Sequence, residues 1–102
     1  MGEFHKVAEV SDIKPGESKT VEIEGELIAV YNIDGEYFAT SNTCPHKGGP
    51  LGEGILEGDV VSCPWHGWKF NVKTGVSPVL PSVRISCFQI KVEGKDIMIA
   101  LN

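Results

Sequence analysis

With 102 residues, 14 Asp and Glu against 9 Lys and Arg, and a net charge of −5, the chain is bounded before any motif is read. That length predicts one domain, residues 1–102, burying about two-thirds of the surface its unfolded chain exposes. The charges are interspersed, so nothing argues for nucleic acid or an anionic membrane surface, and no run of about 18 apolar residues is available to span a bilayer. The opening Met-Gly-Glu-Phe-His-Lys lacks the apolar core of a signal peptide, and the cysteine count is three. Both features fit a reducing compartment, and a cytoplasmic location is the expectation.

Taken in chain order, residues 4–10 and 19–24 read as strands around a Pro15-Gly16 turn. In the second, Val21 and Ile23 face one way and Glu22 and Glu24 the other. Residues 26–33 carry Leu27, Ile28, Ala29, Val30 and Ile33, a more deeply buried strand. Asp34-Gly35 signals a hairpin into Glu36–Thr40. A glycine-rich crossing follows, and then Asp59-Val60-Val61-Ser62. Trp68–Val72 leads to a turn at Lys73-Thr74-Gly75. Residues 83–93 and 96–101 alternate and close as a hairpin around Glu93-Gly94-Lys95. No window has a helical period, so the fold class is all-β.

Between these strands lie Cys44-Pro45-His46 and, after sixteen residues, Cys63-Pro64-Trp65-His66-Gly67-Trp68. Each arm offers one thiolate and one imidazole, and together they make a complete four-ligand metal set. On ligand type alone, a zinc site and an iron–sulfur cluster are both open. Structural zinc sites usually pair like ligands, as Cys-x2–4-Cys and His-x3–5-His, whereas each arm here pairs unlike ones. That arrangement suits two inequivalent irons. Pro45, Pro64 and the intervening glycines form loops whose backbone can approach an anion closely.

Cys-Pro-His-Lys-Gly-Gly-Pro-Leu followed by Cys-Pro-Trp-His-Gly-Trp-Lys-Phe resembles the two cluster-binding boxes of the Rieske 2Fe–2S family. The resemblance implies an antiparallel β-sandwich or partial barrel with an inserted cluster-binding subdomain, the loops spanning about residues 43–75. It further implies that Cys44 and Cys63 ligate an inner iron and His46 and His66 an outer one near the surface. Such a centre is about neutral when oxidised and a monoanion after one electron, so it takes the electron more readily than a four-cysteine cluster. With all four positions held by protein, it carries electrons and does not bind substrate.

The resemblance also separates this chain from respiratory quinol-oxidising Rieske proteins. Those have an extra cysteine in each box, joined as a disulfide, where this chain has Gly49 and Trp65. They also have Ser and Tyr hydroxyls facing cluster sulfurs, where this chain has Trp68 and Phe70. A low-potential ferredoxin is implied: a non-enzymatic one-electron carrier with redox-protein partners, from a reductase to a terminal oxygenase or other acceptor. The alternative is the Rieske-like small subunit of an assimilatory nitrite reductase. The Pro78-Val79-Leu80-Pro81 loop is expected over the cluster. Trp65 either packs or stands at the rim of the electron-transfer surface, and Lys47 and Lys69 are either solvated charges or flank its exposed edge. Trp68 is expected to pack, Cys87 to be a small buried apolar residue, and His5 to have no role.

Overall fold

The computed structural model describes residues 4–44, 49–65, 67–79 and 82–101. Their strands are β1 (Phe4–Glu9), β2 (Ser18–Ile23), β3 (Glu26–Ile33), β4 (Glu36–Ser41), β5 (Ile55–Glu57), β6 (Val60–Ser62), β7 (Lys69–Asn71), β8 (Cys87–Glu93) and β9 (Asp96–Ala100). Helix among the described residues is limited to short 3-10 turns at Val10–Asp12 and Leu51–Glu53. The all-β expectation holds.

Strands β1-β9-β8-β4-β3-β2 form one antiparallel sheet, and its two outer strands meet, so the sheet curls into a nearly closed barrel. Strands β5-β6-β7 form a separate antiparallel sheet inserted between β4 and β8. This is the partial barrel with a loop-bearing subdomain that the sequence implied.

Turn chemistry sets the hairpins. Asp34 and Gly35, both with positive φ (52° and 92°), join β3 to β4, and the Gly35 N–H donates to Asn32 Oδ1 at 2.8 Å. Glu24-Gly25 joins β2 to β3 in the same way, with φ of 50° and 86°. Primed two-residue turns match the strand twist, and glycine supplies one of the two positive-φ positions without strain. The glutamate occupies the other, which is why this turn was not read from the sequence.

β3 is buried on both faces. Ile28 and Val30 point into the barrel with Ile13, Val21, Ile23, Ile97 and Ile99. Ala29 and Tyr31 point out of it, into a second core with Leu51, Val61, Phe70, Val72 and Ile85. Period-two alternation delivers alternate side chains to two different interiors, so the strand reads as nearly continuous apolar sequence. Leu27, expected among the buried residues, lies near the strand start and is 47% exposed.

Other expectations need correction. The glycine-rich crossing contains β5, which pairs with β6 over Ile55–Ser62, Leu56–Val61 and Glu57–Val60. Residues 83–86 do not extend β8. They pair instead with the chain leaving β7, through Ile85 N–H to Gly75 O at 2.7 Å and Ser77 N–H to Val83 O at 3.0 Å. Cys87 is exposed, because the alternation that turns Phe88 and Ile90 inward turns Cys87 outward. Burial of part of its surface still raises its thiol pKa, with Arg84 opposing.

The face assignment of β3 is testable by chemical denaturation. Ile28→Ala should destabilise the protein by ~2–5 kcal/mol through cavity formation. Leu27→Ala should lie within ~0.5 kcal/mol of the parent.

Candidate metal centre

The second core contains the two cysteines of the arms. Cys44 is 1% exposed and Cys63 is 4% exposed, and both are free thiols. Each sits at the end of a strand-anchored segment. Cys44 lies just past β4, and its N–H donates to Gly49 O at 3.0 Å, tying the two described sides of the first arm together. Cys63 follows β6. Its N–H donates to Trp68 O at 2.7 Å, and its C=O accepts the Gly67 N–H at 3.1 Å. The second arm is thus a tight turn mounted on the β6–β7 pair.

The two thiols interact. Burial pushes the Cys63 thiol pKa up, a hydrogen bond from the Trp65 backbone opposes this, and neighbouring Cys44 adds to the rise. The Cys63 thiol, in an apolar core beside Cys44, resists becoming a thiolate because its negative charge is poorly solvated there. A cationic centre between the two sulfurs removes that penalty, and metal binding to cysteine drives deprotonation. The donor chemistry therefore fits a metal group held by Cys44 and Cys63.

The opposite wall fits as well. A Cβ on Gly49 would stand 2.6 Å from Cys63 Sγ and 3.2 Å from two ring atoms of Trp65. Glycine at 49 is needed for the first arm to reach the sulfur of the second. The same contact puts Trp65, still 52% exposed, across the gap between the arms. In the position where the related high-potential proteins are implied to carry a disulfide, this chain has an indole packed on a bare backbone.

His46 and His66, together with Lys47, lie outside the described residues. Among the described residues no group of three or more His, Cys, Asp or Glu converges, so the visible donors are the cysteine pair. Trp68 is half-buried in the second core, as expected, and Phe70 is sealed in it. The 78–81 loop is described through Val79, which is 68% exposed. A cleft of about 120 Å³ separates Ser77 and Val79 from Gly67, Trp68 and Lys69, so this loop does lie beside the second arm. Leu80 and Pro81 fall outside the described residues. Tyr31 is the floor residue that the sequence reading passed over. It is fully buried beneath the arms with its hydroxyl 2.9 Å from Thr40 Oγ1, and burial raises its pKa well above the usual phenol.

Gly49→Ala should destabilise the protein by ~1–3 kcal/mol through overpacking. It should also change the fluorescence of Trp65, measured beside thermal unfolding. An unchanged emission would mean that the Trp65 ring is not seated on residue 49.

Residues 3–89 match the family model for the Rieske [2Fe-2S] domain. The ferredoxin component of biphenyl 2,3-dioxygenase from Rhodococcus jostii is 43% identical over 97 residues, covering 94% of this chain and 91% of the relative. The ferredoxin component of the naphthalene 1,2-dioxygenase system of Pseudomonas putida is 36% identical, with 91% and 90% covered. Among solved structures, a complex of reduced oxygenase and oxidized ferredoxin in carbazole 1,9a-dioxygenase matches with a TM-score of 0.86 and 37% identity, over 95% of this chain and 92% of that one. A putative nitrite reductase small subunit from Mycobacterium tuberculosis has a TM-score of 0.93 at 20% identity, covering 100% and 97%, a likeness of fold alone. The sequence match, the barrel with its inserted sheet and the paired buried thiols converge on one conclusion: the chain belongs to the Rieske [2Fe-2S] family, and it is an electron carrier whose cofactor is a Rieske-type 2Fe–2S cluster.

Proposed function

We propose that Cys44 and Cys63 hold one iron of the cluster and His46 and His66 the other, and that the chain passes electrons from a reductase to the terminal oxygenase of a dioxygenase system. It does so as a single cytoplasmic domain without catalytic chemistry of its own. The observation that carries this reading is the close likeness, over nine-tenths of both chains, to ferredoxin components of such systems. The nitrite reductase alternative is supported only by fold, so it ranks second.

When bound, the cluster supplies one-electron transfer. The chain's own residues provide the rest. Cys44 and Cys63 are sealed by Leu51, Val61, Phe70 and Val72, which exclude water from the thiolate side. Trp65 and Val79 stand exposed on the second arm and on the loop beside it, giving a partner an apolar surface at the arms.

The test is to reduce the purified protein and follow its reoxidation. A terminal oxygenase of the biphenyl type should accept the electron, and a nitrite reductase catalytic subunit should not. The reverse preference would place the chain in the second class. Within this assay, Lys47→Glu should alter the rate and its salt dependence more than the potential. Glu22→Lys on β2 should do neither, and a larger effect there would move the docking face to the barrel.

Ligand roles are read by composition. The protein should be red-brown with two irons and two acid-labile sulfides per chain, consistent with the cluster's formula. Cys44→Ser or Cys63→Ser should abolish assembly, because the second core then lacks its central bonds. His46→Cys or His66→Cys should lower the potential by adding negative charge. One zinc per chain would overturn the ligand assignment.

Phe70→Tyr tests the basis of a low potential. Phe70 is fully buried in the core that holds both cysteines, and its replacement would add a hydroxyl there. A hydrogen bond to a charged acceptor exceeds one to a neutral acceptor by on the order of 1 kcal/mol. With roughly 59 mV per 1.4 kcal/mol for one electron, a bond to a cluster sulfur should raise the potential by some tens of millivolts. A hydroxyl bonded there without a shift in voltammetry would show that missing hydroxyls do not set the potential.

A further inference from the structure

The two arms are anchored differently. The second arm is carried by the β6–β7 ladder, with Val61 opposite Phe70 and Ser62 opposite Lys69. The first leaves β4 after Ser41 and returns at Leu51 into a 3-10 turn, so no flanking strand holds its returning side. Its neck is closed by the Thr43–Pro50 bridge and the Cys44 N–H to Gly49 O bond. At its base stands Asn42, a residue 3% exposed whose side chain alone ties both sides of the neck to β2.

Asn42 bonds in several directions. Its N–H donates to Leu27 O at 3.2 Å, extending the contact with β3, and its C=O accepts the Leu51 N–H at 2.7 Å. Its side-chain Oδ1 accepts the Gly52 N–H at 2.7 Å and the Thr20 hydroxyl at 3.0 Å. Thr20 belongs to β2, so one oxygen joins the outgoing chain, the returning chain and the barrel wall. Ser18, also on β2, donates to Gly52 O at 2.9 Å. A Cβ on Gly52 would collide with the Thr20 hydroxyl and lie 2.8 Å from Asn42 Oδ1. The returning chain is therefore seated directly on β2, as only glycine allows.

We propose that Asn42 is the positioning residue of the first arm: through Oδ1 it clamps the loop neck to β2 and so holds Cys44, two residues on, against Cys63. This rests on the assignment of Cys44 as a cluster ligand. A buried acceptor shared by two donors can move only if both bonds break and both donors lose their partner, so the clamp resists small displacements of the arm. The barrel fold itself does not depend on it, because the hydrophobic interior lies on the other side of β3.

The experiment uses the cluster-loaded protein. Iron release to a chelator and the EPR linewidth are measured beside the thermal unfolding midpoint. Asn42→Leu removes both side-chain bonds, Thr20→Val removes one, and Thr20→Ser keeps its donor. Ile97→Val weakens the barrel interior without touching the neck and serves as the control. Iron release should be about tenfold faster in Asn42→Leu and intermediate in Thr20→Val, the scale of lost buried hydrogen bonds. Thr20→Ser should release iron at the parent's rate, and Ile97→Val should change the midpoint alone. Should Asn42→Leu fail to fold, the Thr20 pair decides. Equal release from Thr20→Val and Thr20→Ser, or release from the neck variants no faster than from Ile97→Val, would overturn the clamp. A parent protein without iron would instead overturn the ligand assignment beneath it.

Discussion

Two cysteine sulfurs meet inside an apolar core, and most of the architecture follows from keeping them there. Thiols in such a place are stable, but thiolates are not unless a positive centre lies between them. Holding the pair requires two loops from different parts of the chain to converge on one point. It also requires walls that keep water from the sulfurs. The inserted sheet, the glycine at the crossing of the arms and the indole over it all serve that convergence.

β3 connects this requirement to the rest of the molecule. One face of the strand is part of the barrel interior, and the other is the floor of the core that holds the two cysteines. The barrel can be stable without the cluster, because its core is aliphatic and complete. The second core is different, since its centre is occupied by sulfur and by whatever the sulfur binds. Under the proposed ligand assignment, metal loading and loop order are coupled, while the barrel acts as a rigid base. That division suits an electron carrier, whose centre must change charge while its surroundings stay in place.

The exposed side has its own logic. Trp65 and Val79 leave apolar surface at the arms, and the adjoining cleft lies between the second arm and the 77–79 loop. The acids of the chain are absent from residues 37–52 and 60–92, the segments that supply both arms and that loop. A partner approaching there meets apolar and basic groups, whereas β2, its turn and the start of β3 present Glu22, Glu24 and Glu26. Such a distribution favours one orientation of encounter over the others.

The sequence by itself determined the strand plan, and the resemblance carried by its two Cys and His boxes implied the cofactor. The boxes around the two cysteines are local patterns, which is why a resemblance could be read from them, and period-two alternation with an Asp-Gly turn is decided within a few residues. Only the tertiary structure decided the contacts that join distant segments. Gly49 under Trp65 and Asn42 between Thr20 and Gly52 depend on which loops lie side by side, and neither residue carries a local signal. β5 was hidden because three residues among glycines have little propensity, and pairing with β6 alone makes them a strand. Cys87 turned outward for a similar reason: a cysteine in a β pattern fits either face, and the packing of Phe88 and Ile90 chose. Short-range chemistry is written along the chain, whereas burial belongs to the neighbours that folding supplies.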